Sequence, residues 1–235
     1  MGATARGSDP TSAVADEMSL AVARRRLVVA VAGRLRAAYD LGPLRAEPAV
    51  QAVTVVGTGA ADVHLFGELC HAVGADAARY ALVRTRWNRP VRVDLDRWSR
   101  RDERNPLWRL WYLGVGSREA LDVARAHGIE PAPGGRLEGR AWQTTTAALD
   151  AIDTIGRVAA ERGEPHRLAD HLEHDVATSH EAVRRWAFEG LSRIRDDPTG
   201  RPAAAYRSHL ALLARCADAV ARAGELFGVP LPRRL

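Results

Sequence analysis

Four histidines, His166, His171, His174 and His180, fall in one short stretch, and His171 and His174 share a face if that stretch is helical. With Asp170 or Glu173 beside them, imidazoles at this spacing are a pattern that can hold a divalent metal. A solvated or capping role explains the same residues with fewer demands, and no metal is expected. Ser179-His180 and the scattered aspartates do not compose a nucleophilic triad, and Gly-x-Ser-x-Gly is absent. Val56-Gly57-Thr58-Gly59 is too short to be read as a phosphate-binding loop. All 34 basic residues are arginine. Chemistry that needs a lysine amine, such as Schiff-base formation or a P-loop, is thereby excluded.

The formal charge is +5 and the pI about 10.0. Guanidinium groups bind phosphates bidentately and stack on bases, so the surface suits RNA. Abundant Ala, Arg, Val, Leu and Gly point to a GC-rich genome, which accounts for much of the bias; charge alone is therefore a poor argument. The 46% hydrophobic content supports one sizeable core or two small ones. No apolar run is long enough to cross a bilayer, and the first residues lack the order of a secretory signal. A cytoplasmic protein is expected, with Cys70 and Cys216 as buried free thiols rather than a disulfide.

The elements that would position these groups read as helices. Residues 1–11 are small and polar and are expected to be a disordered tail. Apolar spacing predicts a helix from Ser12 to Tyr39, interrupted early by Arg24, Arg25 and Arg26, with a connector to residue 58. Val53–Val56 has strand character but no evident partner. Further helices are expected over Ala61–Val73, Ala77–Thr85, a short turn from Asp94 or Asp96 to Arg100, and Asn105-Pro106 to Ala126. After a Pro/Gly-rich loop at 129–140 come Trp142–Arg162, Pro165–Ile194 and Ala203–Phe227. Residues 196–202 form a loop between the last two. The fold class is all-α.

Three segments carry a resemblance. Gly74-Ala75-Asp76-Ala77-Ala78-Arg79-Tyr80 leads through Pro90 and Val93-Asp94-Leu95-Asp96 to Asn105-Pro106-Leu107-Trp108-Arg109-Leu110-Trp111-Tyr112. Glu164-Pro165-His166-Arg167-Leu168-Ala169 follows, with Leu172 and His180 downstream, and the sequence closes on Gly228-Val229-Pro230-Leu231-Pro232-Arg233-Arg234-Leu235. In order and spacing these resemble the C-terminal DALR anticodon-binding domain of arginyl-tRNA synthetases, over about residues 50–235. Ala78 stands where that family has leucine, and the glutamine, histidine and arginine of the family's aromatic helix are replaced by Trp111, Gly114 and Gly116.

The resemblance implies a helical bundle of the DALR type at residues 59–235, with an extra N-terminal helix. It implies a non-catalytic protein that binds the anticodon stem-loop of a tRNA, since the nucleotide-binding fold and its lysine-bearing loop have no counterpart here. No catalytic residue and no cofactor are implied. Candidates for the RNA face, chosen from motif position and charge, are Arg84, Arg86, Trp108, Arg109, Tyr112, Arg233 and Arg234. Aromatic faces stack unpaired bases, while loss of the hydrogen-bonding groups weakens base identity more than affinity. The rival expectation is a protein-interaction module that kept the fold and lost RNA, serving a synthetase or a biosynthetic enzyme. The shift toward Leu, Trp and Val after Pro106 favours that rival. Locally, Asp76 is expected to cap its helix and pair with Arg79, and Val229 and Leu235 to pack on the last helix.

Overall fold

The computed structural model describes residues 17–134, 139–179 and 201–235. His180 and the expected continuation of its helix to Ile194 lie outside them. So do the whole N-terminal tail and part of each expected loop at 129–140 and 196–202. Among the described residues the architecture is helical, with one two-stranded sheet.

Helix α1 (Leu20–Ala38) presents Leu20, Ala23, Val28, Val31, Ala32 and Leu35 to the interior. It begins at Leu20, because Ser19 is extended and bridges to Leu65; the expected start at Ser12 lies outside the described residues. Strand β1 (Val53–Val56) has a partner after all: it pairs in parallel with β2 (Val91–Asp94), Val53 facing Val91 and Val56 facing Asp94. The partner is hard to see in the sequence because four residues hold only one and a half alternations, and two helices intervene. Those are α2 (Phe66–Val73) and α3 (Ala75–Val83). The predicted helix over 61–73 is split. Ala60–Asp62 is a single 3-10 turn, and α2 starts at Phe66 because the Glu68 carboxylate accepts from the His64 and Leu65 backbone N–H groups at 2.7 and 2.8 Å. Gly74, at φ 90°, rather than Asp76, caps α3; Asp76 instead pairs with Arg79 at 3.1 Å.

Asp94 caps the short α4 (Leu95–Trp98) by accepting from Arg97 N–H. The long α5 runs over Pro106–Ala126, with Asn105 as its cap and proline in the first turn, as the sequence predicts. Helix α6 (Arg140–Arg162) stops at Gly163, whose φ of 64° favours glycine. Helix α7 (His166–His171) does not continue as a regular helix. It widens into a π-turn over Leu172–Val176 and tightens to a 3-10 turn at Ala177–Ser179. Helix α8 (Arg201–Phe227) lies along α5.

One core joins these elements, from Leu20 and Leu35 through Tyr80 and Trp98 to Phe227 and Val229. Tyr80 sits edge-on to both Trp98 and Phe227, with centroids 6.3 and 5.4 Å away. After Gly228 the chain folds back over α5: Leu231 packs on Gly114 and the Pro232 carbonyl accepts from Arg118. Val229 is buried as expected, but Leu235 is 45% exposed, because the fold-back has already passed the last helix. Cys216 is buried, which pushes its thiol up to about 12, whereas Cys70 is only half-buried, and neither is in a disulfide.

Two helix-interior glycines have no packing reason. A Cβ at Gly33 of α1 or at Gly116 of α5 would meet nothing within 4 Å. Gly33→Ala and Gly116→Ala are each expected to raise unfolding free energy by about 0.5–1 kcal/mol, measured in urea. A loss at either site would contradict the open surroundings.

A third expectation concerns pH. His209 of α8 is buried against the Trp142 ring, centroids 4.2 Å apart, and burial lowers its pKa from 6.5 to about 4 against a weaker opposing hydrogen bond to Ala205. The unfolded chain therefore takes up a proton near pH 6.5 that the folded protein refuses until about pH 4. Stability should fall as pH drops through that window, by up to about 3 kcal/mol from this group alone. His209→Gln should flatten the curve between pH 7 and 4.5. Parallel curves for the two proteins would exclude His209 as the cause.

Candidate nucleic-acid interface

The Asn105 cap organises the site. Buried to 1% exposure, it accepts from Leu107 N–H at 3.1 Å while its amide donates to the Trp98 and Arg100 carbonyls at 2.7 and 3.0 Å. Arg97 donates to the Arg104 carbonyl at 2.9 Å, and the Asp102 carboxylate accepts from Arg104 N–H at 2.9 Å. With its backbone bonded inward, the loop Arg100-Arg101-Asp102-Glu103-Arg104 is held with exposed side chains directly ahead of α5.

Trp108, Arg109 and Tyr112 stand on the first turns of α5, each half-buried. Spacing of three and four residues puts them on one side of the helix. Together with the five loop residues they line an open cleft of about 520 Å³. Four guanidiniums, two carboxylates, an indole and a phenol thus converge on one concavity. Arg109 is steadied from behind, donating to the Glu173 carbonyl in the π-turn.

The other sequence candidates are placed elsewhere. Arg84 makes a two-pronged ion pair with Glu173, which is 2% exposed, and lies 5.9 Å from the centre of the Trp98 ring. Burial lowers its pKa, but the carboxylate more than offsets that and the net direction is upward. Arg86 donates to His166 at 3.4 Å, and burial lowers the His166 pKa. Arg233 and Arg234 are exposed on the tail beyond Pro232. Hence Trp108, Arg109 and Tyr112 are brought together, and Arg84, Arg86, Arg233 and Arg234 do not line that cleft.

Sequence reasoning passed over Arg100, Arg101 and Arg104. The available signal was a charge-dense run, Arg-Arg-Asp-Glu-Arg, immediately before an Asn-Pro helix start. His171 and His174 are accounted for by the protein itself. The His171 ring nitrogens face the Asp175 carboxylate at 2.6 Å and the Ala148 carbonyl at 2.8 Å, and His174 bonds the Asp170 carbonyl at 2.9 Å. Among the described residues no group of His, Cys, Asp or Glu side chains is arranged to hold a metal ion.

No protein-family profile matches the chain. An arginine–tRNA ligase of Bifidobacterium adolescentis is 36% identical over 123 residues, covering 52% of this chain and 21% of the ligase. An arginyl-tRNA synthetase from Campylobacter jejuni superposes with a TM-score of 0.57 at 14% identity, over 79% of this chain and 40% of that one. The Thermus thermophilus arginyl-tRNA synthetase gives 0.50 at 18% identity, over 100% and 34%. The chain thus spans about a fifth of the curated relative it matches, and the structural likenesses bear on fold alone. The sequence likeness and the three motif segments relate this chain to arginyl-tRNA synthetases, and the two solved structures share its helical fold.

Proposed function

We propose that this chain binds the anticodon stem-loop of a tRNA in the cleft between the Arg100–Arg104 loop and the start of α5, without performing catalysis. The observation that carries this reading is the meeting of Trp108 and Tyr112, one turn apart, with Arg100, Arg101, Arg104 and Arg109 in one concavity. Rings offer stacking faces to unpaired bases, and guanidiniums offer paired donors to phosphates. Stacking faces and paired donors gathered in one concavity suit recognition. The relatives named for tRNA ligation supply the class of RNA.

A cytoplasmic setting follows from that partner. Among the described residues, no helix is long and apolar enough to cross a membrane. The rival reading, a protein-docking face on α5, rested on the apolar residues after Pro106. Leu110, Leu113 and Val115 are buried at 5% exposure or less, so of that shift only the half-buried Trp108 and Trp111 reach the surface, and Trp108 lines the cleft.

The test is equilibrium binding to labelled total tRNA across a salt series. Trp108→Ala and Tyr112→Ala should each weaken binding by roughly 5- to 100-fold, the range of one lost base stack. Arg101→Gln should lower the salt slope by about one phosphate contact and leave Tm unchanged. Affinity equal to that for an unrelated polyanion, unmoved by either aromatic substitution, would remove the reading.

A further inference from the structure

The cleft holds two carboxylates, and only one has work within the protein. Asp102 accepts from Arg104 N–H at 2.9 Å and faces Arg100 at 3.5 Å, so it belongs to the loop's own framework. Glu103 lines the same cleft, is exposed, and has no hydrogen bond or ion pair of its own among the described residues. The loop is already secured through Asn105, Arg97 and Asp102, so its shape does not require Glu103. In a cleft that meets phosphates, an unneeded negative charge costs affinity through repulsion.

A carboxylate can nevertheless do what guanidinium, indole and phenol groups cannot: accept two parallel hydrogen bonds at once. Among unpaired bases, guanine alone offers two adjacent donors, N1–H and an N2–H, along its Watson–Crick edge. Adenine and cytosine place an amino group beside an acceptor, and uracil sets one N–H between two carbonyls. We propose that Glu103 is a specificity-determining residue that reads an unpaired guanine. The base stacks on the Trp108–Tyr112 side of the cleft, and the flanking phosphates lie against Arg100, Arg101 and Arg104. This rests on the RNA-binding reading above and adds a base identity to it.

The experiment uses the full chain and two RNA hairpins whose loops are uridine except at one position. That position is guanine in one hairpin and inosine, which lacks the N2 amine, in the other. The wild type should prefer guanine by about tenfold or more, as expected for a two-pronged base contact. In Glu103→Gln the preference should fall below about twofold, with affinity for the inosine hairpin unchanged or higher because a repulsive charge is gone. Glu103 is exposed, so Tm should match the wild type. Equal wild-type affinity for the two hairpins, or a preference that survives Glu103→Gln, overturns the inference while leaving RNA binding standing. Failure of the wild type to bind either hairpin overturns both.

Discussion

Replacing Arg24 by leucine is expected to lower unfolding free energy by about 3–5 kcal/mol. Arg24 is 0% exposed. It donates to five backbone carbonyls: Gln51 at 2.7 Å, Arg89 at 2.9 Å, Arg86 at 3.0 Å, Leu82 at 3.3 Å and Ala52 at 3.5 Å. Burial lowers its pKa to about 10, so the guanidinium stays charged at neutral pH. The carbonyls solvate that charge in place of water. Leucine would remove the donors and leave the acceptors facing an apolar side chain, and an unsatisfied buried acceptor costs about 1–3 kcal/mol. Lysine should recover only part of the loss, because one ammonium cannot span carbonyls from α3 and from the approaches to both strands. Urea unfolding of wild type, Arg24→Leu and Arg24→Lys checks this. A loss below about 1 kcal/mol in the leucine variant would mean that the carbonyl cage contributes little.

A comparable loss, about 3–5 kcal/mol, is expected for Glu173→Ala. This change strands the Arg84 guanidinium in a partly buried position opposite no carboxylate. The Glu173 main-chain carbonyl that steadies Arg109 remains, so the loss lies at the Arg84 guanidinium. The paired replacement Arg84→Met with Glu173→Leu should recover most of the stability, because desolvating two charges offsets much of their attraction. A double variant as unstable as the single one would show that the cost lies in the turn's backbone rather than in the unpaired charge. RNA affinity should change little in Glu173→Ala at temperatures where it remains folded, since Arg109 donates to the Glu173 main-chain carbonyl, which alanine retains.

How far these features were legible differs by kind. The span Pro106–Ala126 could be read to the residue, because an asparagine cap and a first-turn proline are local signals. Trp108 and Tyr112 could be grouped from their spacing alone, since four residues is one helical turn. Arg24 was not legible among three consecutive arginines, although its position on the stripe Leu20–Arg24–Val28 separates it from its exposed neighbours Arg25 and Arg26. Arg84 carried motif position and charge, but its commitment to Glu173 depends on a residue 89 positions away. The strand pair was missed for the same reason: a parallel partner is set by tertiary contact, not by the pattern of either four-residue strand. The π-turn after α7 also left no sign in apolar spacing, because Leu168, Leu172 and Val176 are equally compatible with a regular helix.

The parallel pairing of β1 with β2 also orders events in time. Val53 meets Val91 only after the 37 intervening residues have closed a loop, and closing it costs chain entropy before the pairing returns anything. Helices α2 and α3, neighbours in sequence and in space, are the local contacts that shorten that search. The expected course is a nucleus built on α2 and α3, with the strands zipping afterwards and α1 docking last across them. Changes in the sheet or at α1 should then accelerate unfolding and leave the folding rate nearly untouched.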